Sequence, residues 1–357
     1  MGERSIKAAD QGGGTAGSSA ALDQWRGLAL LMVLISHAFH ETGRVEGLGR
    51  VGVNLFFFIS GILVYRSLSR SGPRTGPAST WQQMKSFWWR RLRRLYPALL
   101  MFLLVLTIAE YWLQRIPGQP PGGDYATYWR NLPSALFALV NYNWWVPTSL
   151  GHLWSVACEL QFYLAAPLLF FWGAASKGNR TLIFGYILLG LVGMGLMNPF
   201  SSDYWFATKY EFQNAVWPMM LGFVCEYQRG WFTAVPATLR RLVYWGLMAV
   251  SLPGLALMFW GPEMKVPTIA VGGLLLGPCL LDYVGGQALS PGVAGSALDW
   301  LGKRTYSIYL WQQLFTICHY LPVVLWGPGA TVAVMVGAAW YRWFEVPFLS
   351  VGRRSES

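Results

Sequence analysis

In a chain of 357 residues of which 54% are hydrophobic and 12% charged, the charged share is about half the roughly 25% of soluble domains, and the mean hydropathy is +0.36. That balance excludes an ordinary soluble globule and predicts an all-α, polytopic integral membrane protein. The net charge of +11 would suggest nucleic acid in a soluble chain; here it is assigned to topology, because lysine and arginine collect on the cytoplasmic side, and no nucleic-acid partner is expected.

Four cysteines (Cys158, Cys225, Cys279, Cys318) lie in apolar runs without CxxC spacing, so they read as small hydrophobes. His37, His40, His152 and His319 also lack metal-ligand spacing beyond one i, i+3 pair, and no metal is expected. Residues 1–21 are polar and then Gly/Ser-rich, which predicts a disordered cytoplasmic tail. A transmembrane domain is expected over 22–350 and a second cytoplasmic tail over 351–357. The first apolar run has no small-residue cleavage site and carries charge, so no cleavable signal peptide is expected.

That run, LDQWRGLALLMVLISHAFHE at 22–41, holds Arg26 and His37 eleven positions apart. At 100° per residue both point from one helix face, roughly 16 Å apart along the axis. An ionisable group at such depth costs about 2.5–3.5 kcal/mol on insertion scales and marks a functional site by default. The plainer alternative pairs Arg26 with Asp23 and makes His37 an interhelical hydrogen bonder. The next span, GVNLFFFISGILV at 52–64, carries Gly52, Asn54, Ser60 and Gly61, which read as close helix packing.

WWRRLRRLYP at 88–97 follows a basic loop. Arg90, Arg91, Arg93 and Arg94 are expected to form one broad cationic face, with Trp88 and Trp89 as interface anchors and Pro97 opening the next span. Juxtamembrane arginines bind anionic lipid. Four arginines are more than orientation needs, and guanidinium groups are the preferred bidentate phosphate donors, so a polyphosphorylated cytosolic ligand is the alternative to that plainer reading. Segment 131–146, NLPSALFALVNYNWWV, is short and polar and reads as re-entrant or interfacial; its Tyr142, Trp144 and Trp145 suit either an aromatic belt or stacking on sugar faces.

In GHLWSVACELQFYLAAPLLFF at 151–171, Glu159 is a carboxylate in an apolar run that needs a partner, expected to be His37 or Arg26. Tyr306, Ser307, Tyr309, Trp311 and Gln312 in LGKRTYSIYLWQQLF form a polar stripe of the kind that stabilises packing. In YRWFEVP at 341–347, Arg342 and Glu345 stand at i, i+3, either as an ion pair or as a ligand contact.

Spans of about 20 apolar residues, as a ~30 Å core requires, are placed near 24–41, 51–68, 95–113, 151–173, 181–198, 212–227, 242–260, 267–284, 304–321 and 329–347. Ten crossings with both termini cytoplasmic leave only Arg44, Arg50, Arg115, Arg130, Lys209 and Lys265 outside, of 27 lysines and arginines. A crossing by 131–146 would move the later basic ends outward, against the positive-inside rule. The sequence shows no internal repeat, which weakens a transporter reading built on inverted repeats.

Together these stretches resemble the acyltransferase 3 family of integral membrane O-acyltransferases, over nearly all the chain beyond residue 21. The likeness rests on LDQWRGLALLMVLISHAFH, GVNLFFFISGILV, RRLRRLYP, HLWSVACELQFYLAAPLL, LGKRTYSIYLWQ and FEVP, in the family's order. The resemblance implies transfer of an acyl group, usually acetyl from cytoplasmic acetyl-CoA, to a hydroxyl of a carbohydrate, commonly a cell-envelope glycan. By position it makes Arg26 and His37 the essential pair and puts Arg91 and Arg94 in the basic motif. It aligns Glu159 with the fourth-helix glutamate and Glu345 with the one before the final proline. Leu160 stands where a second acid is usual and Gln312 where histidine is frequent, which argues against a carboxylate pair and a histidine ligand there. No esterase-like domain is expected after residue 354, so a second transfer step is expected to need a partner or a direct mechanism.

Two functions are weighed. In the first, acyl-CoA lies with its phosphates on Arg90, Arg91, Arg93 and Arg94, its arm passes Arg26, and His37 acts as general base or acyl carrier with Glu159 orienting its ring. In the second, Arg26, His37 and Glu159 line a proton or solute path in a non-enzymatic carrier.

Overall fold

The computed structural model describes residues 3–39, 45–70, 77–113, 115, 123–143, 145–175, 180–197, 210–260, 268–316 and 326–348. Among these residues the elements are helical and no strand occurs: α1 (Glu3–Ala38), α2 (Glu46–Ser69), α3 (Pro77–Leu113), α4 (Gly123–Leu136), the short α5 (Thr148–Gly151), α6 (Leu153–Ala175) and α7 (Arg180–Met197). After these come α8 (Phe212–Ala215), α9 (Trp217–Tyr227), α10 (Arg229–Ala234), α11 (Ala237–Trp260), α12 (Thr268–Gly285), α13 (Gly292–Thr316) and α14 (Trp326–Trp340). α14 runs on into a π-helical turn at Tyr341–Glu345. Helical backbone begins at Glu3, upstream of the expected span start at 24.

Among the described residues three stretches are long and apolar enough to cross a bilayer, Gly47–Ser69, Ser79–Trp112 and Thr148–Phe171, and shorter apolar helices run over Ile183–Met194 and Val271–Gly285. Such helices belong to a membrane protein. The second of the three has 34 residues, about 51 Å at 1.5 Å each, well beyond a ~30 Å hydrocarbon core. α3 continues through Pro97 rather than starting there; the proline removes one backbone amide from the ladder without ending the helix.

The chain divides into two compact units, one of residues 1–59 and 222–305, the other of 60–221 and 306–357. In the first, α1 packs against α12, and α12 against α11. Close approach is set by small residues: a Cβ on Gly27 would meet the backbone of Leu298, and one on Gly302 the backbone of Asp23, so α1 and the first half of α13 touch backbone to backbone. Gln24 fixes the same junction, its side-chain amide donating to the Ser290 carbonyl (3.1 Å) while its carbonyl accepts from the Ser290 amide (3.0 Å).

In the second unit α3, α6 and the π-helical turn pack together. Here α4 ends at Leu136, Ala138 adopts φ 56°, and a 3-10 turn follows over Val140–Tyr142. An amide lattice holds this segment. Asn141 Nδ2 donates to Gln161 Oε1 (3.2 Å), and Gln161 Nε2 returns bonds to Asn141 Oδ1 (2.8 Å) and the Ala138 carbonyl (2.7 Å). Asn131 Nδ2 donates to the Trp145 carbonyl (2.7 Å), and Asn143 Nδ2 to Asn131 Oδ1 (2.5 Å) and Ser134 Oγ (2.8 Å). Under α4, the Tyr128 hydroxyl meets Thr107 Oγ1 at 2.7 Å, and burial pushes it up to about 12, so it remains a neutral donor at working pH.

Candidate active site

Glu159 sits on α6, a mostly apolar helix that runs on through Pro167. Its Oε1 accepts hydrogen bonds from the hydroxyls of Ser60 on α2 and Tyr163 one turn further along α6. Oε2 accepts none from a described residue. Within its own unit the carboxylate is thus held by two hydroxyls, with Arg91 in electrostatic reach. A carboxylate accepts without donating and two O–H donors can hold it at depth. Spacing along α6 put Tyr163 within reach at i, i+4; no local signal reached 99 positions back to Ser60.

The four basic-motif arginines do not share one environment. Arg91 turns inward: its guanidinium lies 4.9 Å from the Tyr163 ring centre and 5.4 Å from that of Phe87, and Nη2 donates to the Leu63 carbonyl at 3.4 Å. Trp88 Nε1 donates to the Tyr163 carbonyl at 3.0 Å. Arg94, one turn on, is half-buried and within electrostatic reach of Tyr163 and Tyr306. Arg90 is exposed and donates to Ser86 Oγ at 2.5 Å, while Arg93 lies 4.9 Å over the Trp89 ring. The expected broad face thus splits, with Arg91 and Arg94 facing the unit's interior and Arg90 and Arg93 held by their own helix.

The polar stripe of α13 goes into the same interior. Tyr306 donates to the Leu95 carbonyl (2.9 Å), Tyr309 to the His152 carbonyl (3.2 Å), and Ser307 to Glu345 Oε2 (2.7 Å). Tyr306 lies within electrostatic reach of Glu345, Glu159, Tyr163 and Arg94. Gln312 is fully buried and its carbonyl accepts from Thr316 Oγ1 at 2.8 Å. Glu345 is 2% exposed, whereas Arg342 is exposed, and no ion pair joins them. The π-helical turn widens the helix there, so i, i+3 no longer means one face.

Arg26 and His37 belong to the first unit and Glu159 to the second. Arg26 Nη1 lies 3.6 Å from Asp23 Oδ1, the pairing its spacing offered, and is within electrostatic reach of Cys279. His37 stands in the last turn of α1, half-buried. Tyr142 and Trp145 are 43% and 84% exposed, and Trp144 lies outside the described residues. No group of three or more metal-ligating side chains gathers among the described residues.

Two polar clusters of the first unit escaped the sequence reading. Trp25 Nε1 donates to Asp282 Oδ2 at 2.9 Å. The Tyr283 hydroxyl donates to Glu226 Oε2 (2.7 Å) and accepts from Arg229 Nη1 (2.6 Å), with Arg229 also 3.6 Å from Glu226 Oε1. Asp282 was discernible as the one acid in α12, an apolar helix.

A family model described as an acyltransferase domain matches residues 19–350. The chain belongs to the acyltransferase 3 family. Among curated relatives, a Staphylococcus aureus (strain COL) protein with the provisional name O-acetyltransferase is 27% identical over 93% of this chain and 57% of its own length. The O-acetyltransferase OatA of Staphylococcus aureus (strain NCTC 8325 / PS 47) is 25% identical over the same shares. The peptidoglycan O-acetyltransferase OatA of Listeria monocytogenes serovar 1/2a (strain ATCC BAA-679 / EGD-e) is 27% identical over 82% of this chain and 48% of its own length. The chain thus spans about half the length of the curated relatives it matches. No solved structure matches it.

Proposed function

We propose that this member of the acyltransferase 3 family is a multi-pass enzyme of the cell membrane, with about ten crossings and both termini cytoplasmic, that transfers an acyl group from cytoplasmic acyl-CoA to a carbohydrate hydroxyl. Acetyl is the favoured group, since the relatives are named O-acetyltransferases, and a cell-envelope glycan is the favoured acceptor, as the name of the Listeria relative suggests. The observation that carries the reading is the stacking of Arg91 on Tyr163, whose hydroxyl holds Glu159. A guanidinium suited to phosphate and a fixed carboxylate then belong to one network.

In this reading Arg91 and Arg94, with Arg90 and Arg93, hold the phosphates of the donor, and Arg26 is assigned to its arm. His37 accepts the proton of the acceptor hydroxyl as its oxygen attacks the thioester carbonyl. The C–S bond breaks, and the CoA thiolate leaves and is reprotonated. Alternatively His37 takes the acyl group first and passes it on. Glu159 supplies a fixed negative charge to this chemistry. Tyr142 and Trp145 offer exposed rings to the acceptor.

The test is release of CoA thiol by the purified full chain, given acetyl-CoA and a glycan acceptor, with His37→Ala as control. Acceptor-dependent release that His37→Ala abolishes, at unchanged abundance, supports the reading. Absence of CoA binding together with proton-coupled solute uptake in proteoliposomes would replace it with a carrier.

A further inference from the structure

We infer that Ser60 and Tyr163 are positioning residues for acyl transfer, and that Tyr163 does this twice, by its hydroxyl for Glu159 and by its ring for Arg91. The inference rests on the proposed function and names what orients its two charged groups.

Both hydroxyls fall on the same carboxylate oxygen, Oε1. They meet each other as well, Ser60 Oγ lying 3.2 Å from Tyr163 Oη, so the three oxygens form a closed triangle. A carboxylate held by two donors on one oxygen cannot rotate about its terminal bond without breaking both bonds. Its second oxygen, Oε2, is thereby presented in one direction with no described donor on it. Glu159 is also less buried than its clamp: it is half-buried, whereas Ser60 and Tyr163 are each 5% exposed.

Tyr163 is itself anchored from two other directions. Its backbone carbonyl accepts from Trp88 Nε1 at 3.0 Å, and its ring packs edge-on against Phe87, centroids 6.3 Å apart. Trp88 and Phe87 are the residues that lead into the basic motif. Arg91 then lies over both the Phe87 and Tyr163 rings, with its guanidinium plane located by π-faces. One aromatic side chain thus fixes a donor-binding cation on one surface and an acid on its edge. Ser60, read from sequence as a small packing residue of α2, has a polar task.

The two roles separate by substitution. Tyr163→Phe removes only the hydroxyl, Tyr163→Leu removes the ring too, and Ser60→Ala removes the other hydroxyl. Each full-length variant is purified in lipid nanodiscs, its abundance and melting temperature are recorded, and CoA thiol release is measured with acetyl-CoA and a saturating saccharide acceptor. Losing a hydrogen bond to a charged group, Tyr163→Phe should lower kcat about tenfold or more while KM for acetyl-CoA stays within about threefold. Tyr163→Leu should raise KM for acetyl-CoA as well. Ser60→Ala should match Tyr163→Phe, and the double variant should lose less than the product of the single losses, because both donors serve one oxygen. Should Tyr163→Phe fail to fold, Ser60→Ala decides by the same split.

Wild-type kcat in both hydroxyl variants, or losses that only track abundance, overturns the inference and leaves the proposed function standing. Wild-type protein that neither binds acetyl-CoA nor releases thiol overturns both.

Discussion

The indole Nε1 of Trp25 donates to the carboxylate of Asp282 across 2.9 Å and 257 positions of sequence. Both residues are buried, and the bond ties α1 to α12 two residues from Gly27, where α1 also touches the backbone of Leu298. Because one partner is an acid inside an apolar helix, this is a bond whose loss is felt. Trp25→Phe keeps most of the volume and removes one of the two side-chain donors on the carboxylate, leaving Tyr244 as the other. We expect a stability loss of about 1.5–3 kcal/mol, read as a lower melting temperature in detergent by intrinsic fluorescence. Asp282→Asn retains an acceptor oxygen and should cost less.

Glu345 and Arg342 should behave oppositely although they stand three residues apart. Ser307→Ala takes a donor from the buried Glu345 and should destabilise by about 1–3 kcal/mol. Arg342→Ala, at an exposed side chain with no pairing to Glu345, should stay within about 0.5 kcal/mol of wild type. Thermal shift of the two purified variants checks the contrast.

Arg91→Lys is not conservative here. An ammonium cannot spread over the Phe87 and Tyr163 rings while donating to Leu63, as the guanidinium does, and it offers no bidentate fork to a phosphate. The expected result is a dissociation constant for acetyl-CoA raised about tenfold or more, taking the loss of one charge-assisted hydrogen bond as a guide. Isothermal titration with the nanodisc-reconstituted chain measures it.

Ala138 is the described non-glycine residue with positive φ, at 56°, a region where a Cβ costs roughly 1–2 kcal/mol. Ala138→Gly removes that strain but adds freedom to the unfolded chain worth about 0.4–1 kcal/mol. The net expectation is a small gain in stability, up to about 1 kcal/mol, seen as a slightly higher melting temperature. Ala138→Val, β-branched at the same φ, should be clearly destabilising.

How far the sequence carried depended on whether the deciding interaction was local. The helices were legible because apolar runs of bilayer length announce themselves, and Glu159 stood out as a lone acid in one of them. Arg26 beside Asp23 was a matter of three residues' spacing and could be read directly. The partners of Glu159 were not legible in full, since Ser60 lies on another helix and its hydroxyl looks in sequence like any small residue in a packing groove. The arginines of 90–94 share a composition but not a fate. Which of them turns inward depends on Phe87, Tyr163 and the Leu63 carbonyl, two of which are tertiary neighbours from other helices. Arg342 and Glu345 misled because the widened turn that separates them leaves no mark on composition. The amides of 131–161 were visible as polarity, but their mutual pairing, Asn141 with Gln161 and Asn131 with Asn143, required the fold.

The π-helical turn at Tyr341–Glu345 amounts to one extra residue inserted in a helix that would otherwise continue at 3.6 per turn. Deleting a single residue there would let the ordinary winding resume with the later side chains still on their faces, because the wide turn absorbs the residue that is removed. The same deletion inside α14, where no spare residue is stored, would swing every later side chain by about 100° around the axis and carry Glu345 off Ser307. The turn thus acts as a slack link, the place in this helix where a one-codon deletion is absorbed rather than transmitted.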